Sequence, residues 1–105
     1  MTDPIAFLHA RYRASFPEKR AELLAALVRW RDQPAAADRI ATMHRLTHNL
    51  SGSAGTYGFV ALTELARAAD QLLQPHARGG EVLAGKHVAL IDAAVSAVCD
   101  ALASI

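Results

Sequence analysis

The chain has 105 residues, 52% of them apolar, a formal net charge of +1 and one cysteine. That length predicts one domain spanning 1–105 with a single core, and the near-neutral charge lacks the footprint of a nucleic-acid or polyanion binder. The lone Cys99 rules out an intrachain disulfide. No charged-then-apolar leader opens the chain, and none of its apolar stretches reads as the roughly 18 residues of a membrane span, so a cytoplasmic protein without a membrane partner is expected.

Abundant Ala and Leu, few aromatics and few β-branched runs favour an all-α fold. Asp3 before Pro4 opens a short first helix, because proline in the first turn loses no needed hydrogen bond. Ile5, Leu8, Tyr12 and Phe16 recur along it at helical spacing, and it ends near Ser15. Pro17 and Glu18 start a second helix with a stripe of Leu23, Leu24, Leu27 and Val28. Pro34 stops it, since the residue before proline avoids helical geometry.

A third helix runs from about Ala35 to Tyr57, with Gly58 as its breaker. The fourth turns Leu62, Leu65, Ala66, Ala69, Leu72 and Leu73 inward and ends before "PHARGG". The fifth begins near Glu81 and carries Val88, Ile91, Val95, Val98 and Leu102 on one face, with Cys99 as a small core residue. Short connections imply antiparallel neighbours. The expected architecture is an antiparallel four-helix bundle of helices two to five, with the short N-terminal helix packed on one end. No helix shows a second apolar face, so a monomer is expected.

The third helix contains "THNLSGSAGTYGF", residues 47–59, where three glycines follow His48. At about 100° per residue, Met43, Leu46, Leu50, Ala54 and Tyr57 share one side. His48 falls nearly opposite, with His44, Arg45, Ser51, Gly52 and Gly55 around it. Helical side chains lean toward the N-terminus, so the surface over His48 is covered by positions 51 and 52. One is a small serine and the other has no side chain. A helix-interior glycine costs about 0.5–1 kcal/mol relative to alanine. Gly58 has a structural reason as terminator, and Gly55 is divided between access and fraying. Gly52 lies well inside, faces outward and caps nothing.

An exposed imidazole with cleared access suits a nucleophile that must reach an electrophile on another protein, since the neutral ring keeps a nitrogen lone pair. Phosphoryl transfer needs in-line geometry and close approach, which crowding would oppose. "HNLSGSAGTYGF" resembles the signature of histidine-containing phosphotransfer (HPt) domains, usually H-x-x-K-G-S-A followed shortly by another glycine. The resemblance extends over essentially the whole chain, because members of that family are five-helix proteins built on a four-helix bundle. It implies that His48 is the phosphoacceptor and that Gly52 clears space for a receiver domain. It further implies shuttling between receiver aspartates in two-component phosphorelays, directly or with a hybrid sensor kinase, with no nucleotide site and no cofactor. Mg2+ would belong to the receiver alone. Ser51 stands where the family has lysine; it can donate a hydrogen bond to phosphate but cannot offset its charge, a role in which Arg45 would partly compensate.

Other readings are weighed on the same residues. His44 and His48 are spaced as two zinc ligands would be, but no paired third and fourth ligands accompany them, and no metal site is expected. His44 as acceptor would have His48 over it instead of glycine. Loss of the lysine leaves a helical adaptor that binds a receiver or kinase without carrying phosphate as the alternative. An enzyme is not expected: residues 39–63 contain no Asp or Glu, so a carboxylate partner for His48 would have to come from tertiary packing.

Overall fold

The computed structural model describes residues 3–78 and 83–105. Five α-helices follow in order: α1 (Pro4–Ala14), α2 (Phe16–Asp32), α3 (Ala37–Thr56), α4 (Val60–Leu73) and α5 (Gly85–Ser104), with a 3-10 turn at Gln74–His76 after α4. No strand occurs among the described residues. Helices α2 to α5 form the bundle, α3 and α4 making its most extensive pair, followed by α4 with α5 and α2 with α5. The molecule is elongated, 54 × 20 × 19 Å.

Local chemistry sets the boundaries. Asp3 caps α1 by accepting a 3.0 Å hydrogen bond from the Ile5 amide, and Pro4 follows it. Ser15 alone separates α1 from α2. Beyond α2, the Ala36 amide donates to the Gln33 carbonyl across a turn, and Ala36 itself is extended. That turn delays α3 to Ala37, two residues after the expected start. At the other end, the Phe59 amide donates to the Ala54 carbonyl (2.9 Å) and the Gly58 amide to the Gly55 carbonyl (3.2 Å). Gly58 has φ +86°. This is a Schellman closure, whose left-handed residue is most cheaply glycine. The described part of α5 begins at Gly85; the expected start near Glu81 lies outside the described residues.

The core comprises Leu23, Ala26, Leu27 and Trp30 of α2, Ile40, Met43, Leu50 and Ala54 of α3, Leu62, Ala66, Ala69 and Leu73 of α4, and Ile91, Val95, Val98, Cys99 and Leu102 of α5. Two expected stripes need correction. Val28 is exposed, and the inward position one turn beyond Leu27 is taken by Trp30, whose indole N–H donates to the Pro34 carbonyl at 3.0 Å. On α1 only Tyr12 and neighbouring Phe16 are buried, whereas Ile5 and Leu8 are exposed. The first turns of α1 overhang the bundle, and its hold comes from aromatic contacts: His9 stacks on Phe59 at 4.1 Å and Tyr12 on Tyr57 at 4.6 Å. Tyr12 shares a 2.6 Å hydrogen bond with Ser53. Burial pushes the Tyr12 phenol up, against the opposing pull of that bond.

Helix α5 is apolar and long enough, by composition alone, to cross a membrane, against the expectation that no stretch is. In the structure it supplies one wall of the bundle core. Its Asp92 takes a two-point ion pair from Arg31 of α2, at 2.7 and 2.8 Å. That guanidinium holds the Asp92 carboxyl below the ordinary carboxylate value. Burial pushes the Cys99 thiol up.

Candidate functional site

The site is built on the outward face of α3. Buried Met43, Leu50 and Ala54 fix the rotation of the helix about its axis, and Thr47 is buried beside His48, its hydroxyl donating to the Met43 carbonyl at 2.9 Å. The next residue therefore points outward: the His48 side chain is 67% exposed. A Cβ built on Gly52 would meet nothing within 4 Å. The side of the ring one turn toward the C-terminus is open space.

The other side is not open. Asp70 of α4, 16% exposed, reaches across the α3–α4 contact and places Oδ2 3.3 Å from His48 Nδ1. Its Oδ1 lies 2.8 Å from His44 Nε2. The His44 and His48 rings are 5.8 Å apart and inclined by 30°. An ionised carboxylate can only accept, so a hydrogen bond from His48 Nδ1 selects the tautomer with its proton on Nδ1 and the lone pair on Nε2. The close approach of His44 does not meet hydrogen-bond geometry, and Asp70 Oδ1 is a buried oxygen without a hydrogen bond.

Asp70 is the residue that sequence reasoning missed. The region around His48 contains no acid, and the carboxylate arrives from 22 residues further on through helix packing. Its sequence signal is an aspartate set between Ala69 and the inward leucines of α4, where a charged group half-enters the interface.

The remaining expected site residues separate. Gly55 serves neither access nor fraying in the first instance: its Cβ would lie 3.3 Å from Thr63 Oγ1, so the missing side chain lets α4 approach α3 closely. Ser51 turns its hydroxyl back to donate to the His48 carbonyl at 2.8 Å. Arg45 stands on the opposite flank from Asp70, lining an open groove between α2 and α3 with Lys19, Glu22 and Asn49.

The Hpt domain family model matches residues 8–101. The chain belongs to the Hpt domain family. No curated protein and no solved structure matches it. Membership gives this Hpt domain a part in phosphotransfer within two-component phosphorelays, as a phosphocarrier and not a classical enzyme, and makes receiver domains of response regulators or kinases its partners. An all-helical bundle with one outward histidine suits that work, because the chain needs to present a nucleophile and not to enclose a substrate.

Proposed function

We propose that His48 takes a phosphoryl group from the phospho-aspartate of one receiver domain and passes it to another. The observation that carries this reading is the outward imidazole, held at Nδ1 by Asp70 and open over Gly52. Nε2 attacks phosphorus in line, an N–P bond forms, and the P–O bond to the aspartate breaks, leaving its carboxylate on the receiver. The ring gains positive charge during attack, and Asp70 beside the Nδ1 proton stabilises it. The reverse sequence delivers the group onward. Mg2+ belongs to the receiver in this reading, and the chain works as a cytoplasmic monomer. Arg45 helps meet the incoming negative charge from the α2 flank.

The test is incubation with a phosphorylated receiver, followed by assay for acid-labile, alkali-stable phosphate. Transfer to the wild type and none to His48→Gln, at unchanged helicity, is the expected result. One observation favours a second reading, an adaptor that binds without carrying phosphate: Ser51, standing where the family has lysine, spends its hydroxyl on the His48 carbonyl. An Hpt domain that binds cognate receivers and accepts phosphate from none of them is that adaptor.

A further inference from the structure

Asp70 changes the standing of the His44–His48 pair. Two histidines one turn apart are two ligands, and the sequence shows no third. In the fold, one ring nitrogen each of His44 and His48 and an Asp70 oxygen all lie within 4.8 Å of one another. We infer that His44, His48 and Asp70 form a three-ligand site for a divalent transition metal of the zinc class, with solvent in the fourth position.

Zn2+ takes imidazole nitrogen at about 2.0–2.1 Å and carboxylate oxygen at about 2.0–2.2 Å, so ligand atoms around a tetrahedral ion sit roughly 3.4 Å apart. The separation of 3.3 Å between His48 Nδ1 and Asp70 Oδ2 is close to that value, and the 2.8 Å between His44 Nε2 and Asp70 Oδ1 is shorter and must widen to admit an ion. Helix α3 supplies the two imidazoles and α4 the carboxylate, and their ligand atoms already lie within 4.8 Å of one another. Asp70 Oδ1 is buried and makes no hydrogen bond, so it keeps lone pairs for a cation. An ion there would satisfy the oxygen that His44 approaches without bonding.

The donor set also selects the ion. Two imidazoles and one carboxylate suit Zn2+, Co2+, Ni2+ and Cu2+, whereas Mg2+ and Ca2+ prefer oxygen shells. Binding at Nδ1 takes the other neutral tautomer of His48, with its proton moved from Nδ1 to Nε2. The high exposure of His48 gives the ion a route in and its fourth ligand access to solvent. None of this uses phosphate, so the inference stands or falls independently of the carrier reading.

The test is titration of the metal-free full chain with Co2+, followed by visible d–d absorption, and with Zn2+ by calorimetry. The expected result is one saturable equivalent, an absorption of tetrahedral intensity that Zn2+ abolishes, and no competition from a thousandfold excess of Mg2+. His44→Gln and Asp70→Asn should each weaken binding by more than about 10–100-fold, the loss typical even of outer-shell partners. Circular dichroism checks that both keep their helicity. His87→Gln, which alters the other close histidine pair at 5.1 Å, should leave the affinity unchanged. Absence of a saturable equivalent overturns the inference, as does binding that survives both site variants or follows His87.

Discussion

Replacing Gly52 by alanine should make this Hpt domain more stable and a poorer phosphoryl acceptor. The stability side follows from geometry: Gly52 lies inside α3, and a Cβ there meets nothing within 4 Å. No clash opposes the gain in helix propensity, so the full difference of about 0.5–1 kcal/mol should appear, a rise in Tm of about 2–8 °C for a domain of this size. The other two glycines of this stretch are internal controls. Gly55→Ala must displace Thr63 Oγ1 from 3.3 Å, and Gly58→Ala places a methyl at φ +86°. The first should gain less and the second should lose about 1–2 kcal/mol. On the functional side, a side chain at 52 leans toward the turn that carries His48. Gly52→Gln should slow acceptance from a phosphorylated receiver at least about tenfold, equivalent to about 1.4 kcal/mol in the barrier, with Gly52→Ala between it and wild type. Thermal melts and single-turnover transfer, measured on the same samples, check both sides. A Gly52→Gln protein that accepts phosphate as fast as wild type would refute the assignment of Gly52 to access, and a destabilised Gly52→Ala would refute the packing argument.

Asp70→Asn should slow acceptance by about tenfold while leaving helicity intact, the lower range for a charge-assisted hydrogen bond given the 3.3 Å contact; rates equal to wild type would remove Asp70 from the mechanism. The Asp92 carboxyl is held low by Arg31, so its contribution to stability is present above the unfolded carboxylate value of about 3.9 and is lost as pH falls through its lower folded value. Urea midpoints of wild type and Asp92→Asn should therefore differ at pH 7, converge in strong acid, and approach one another at 1 M salt, where the screening length is about 3 Å. Tyr12→Phe, which gives up the 2.6 Å bond to Ser53, should lose about 0.5–1.5 kcal/mol in urea denaturation at neutral pH. Burial raises the Tyr12 phenol, so its share of stability holds below the unfolded phenol value of about 10 and falls only as pH rises through the folded one. Cys99, buried and with its thiol pushed up, should react with an aromatic disulfide only as fast as the chain opens, and a rapid reaction in the native state would contradict that burial.

How much of this was legible beforehand depended on the range of the interaction. Helix boundaries set by neighbours in sequence, such as Asp3–Pro4 and Tyr57–Gly58, could be read within a residue or two, because capping and closure are local. The outward rotation of His48 was equally legible, since Met43, Leu50 and Ala54 define the opposite side of the same helix. Asp70 was not, because its meeting with His48 depends on the register of α4 against α3, and a periodic stripe says nothing about register. Gly55 was misread for the same reason: its neighbour Thr63 stands on α4. The exposure of Ile5 and Leu8 shows the converse limit, for a regular stripe predicts burial only where another helix extends far enough to cover it.

Helix α3 separates two demands that conflict at a single residue. Burying side chains such as Met43 and Leu50 stabilises by about 1.5–3 kcal/mol each, several times the penalty of one interior glycine. The inward face can therefore carry Gly52 without endangering the helix, provided its large side chains stay inside. Access to His48 depends on the outward face alone, and the Schellman closure at Gly58 ends the helix beyond both. The link between the faces is Asp70, which belongs to the packed α3–α4 interface by its 16% exposure and to the site by its contact with His48. Its carboxylate turns the register of two helices into the orientation of one imidazole, so substitutions that slide α4 along α3 should disturb His48 without touching it.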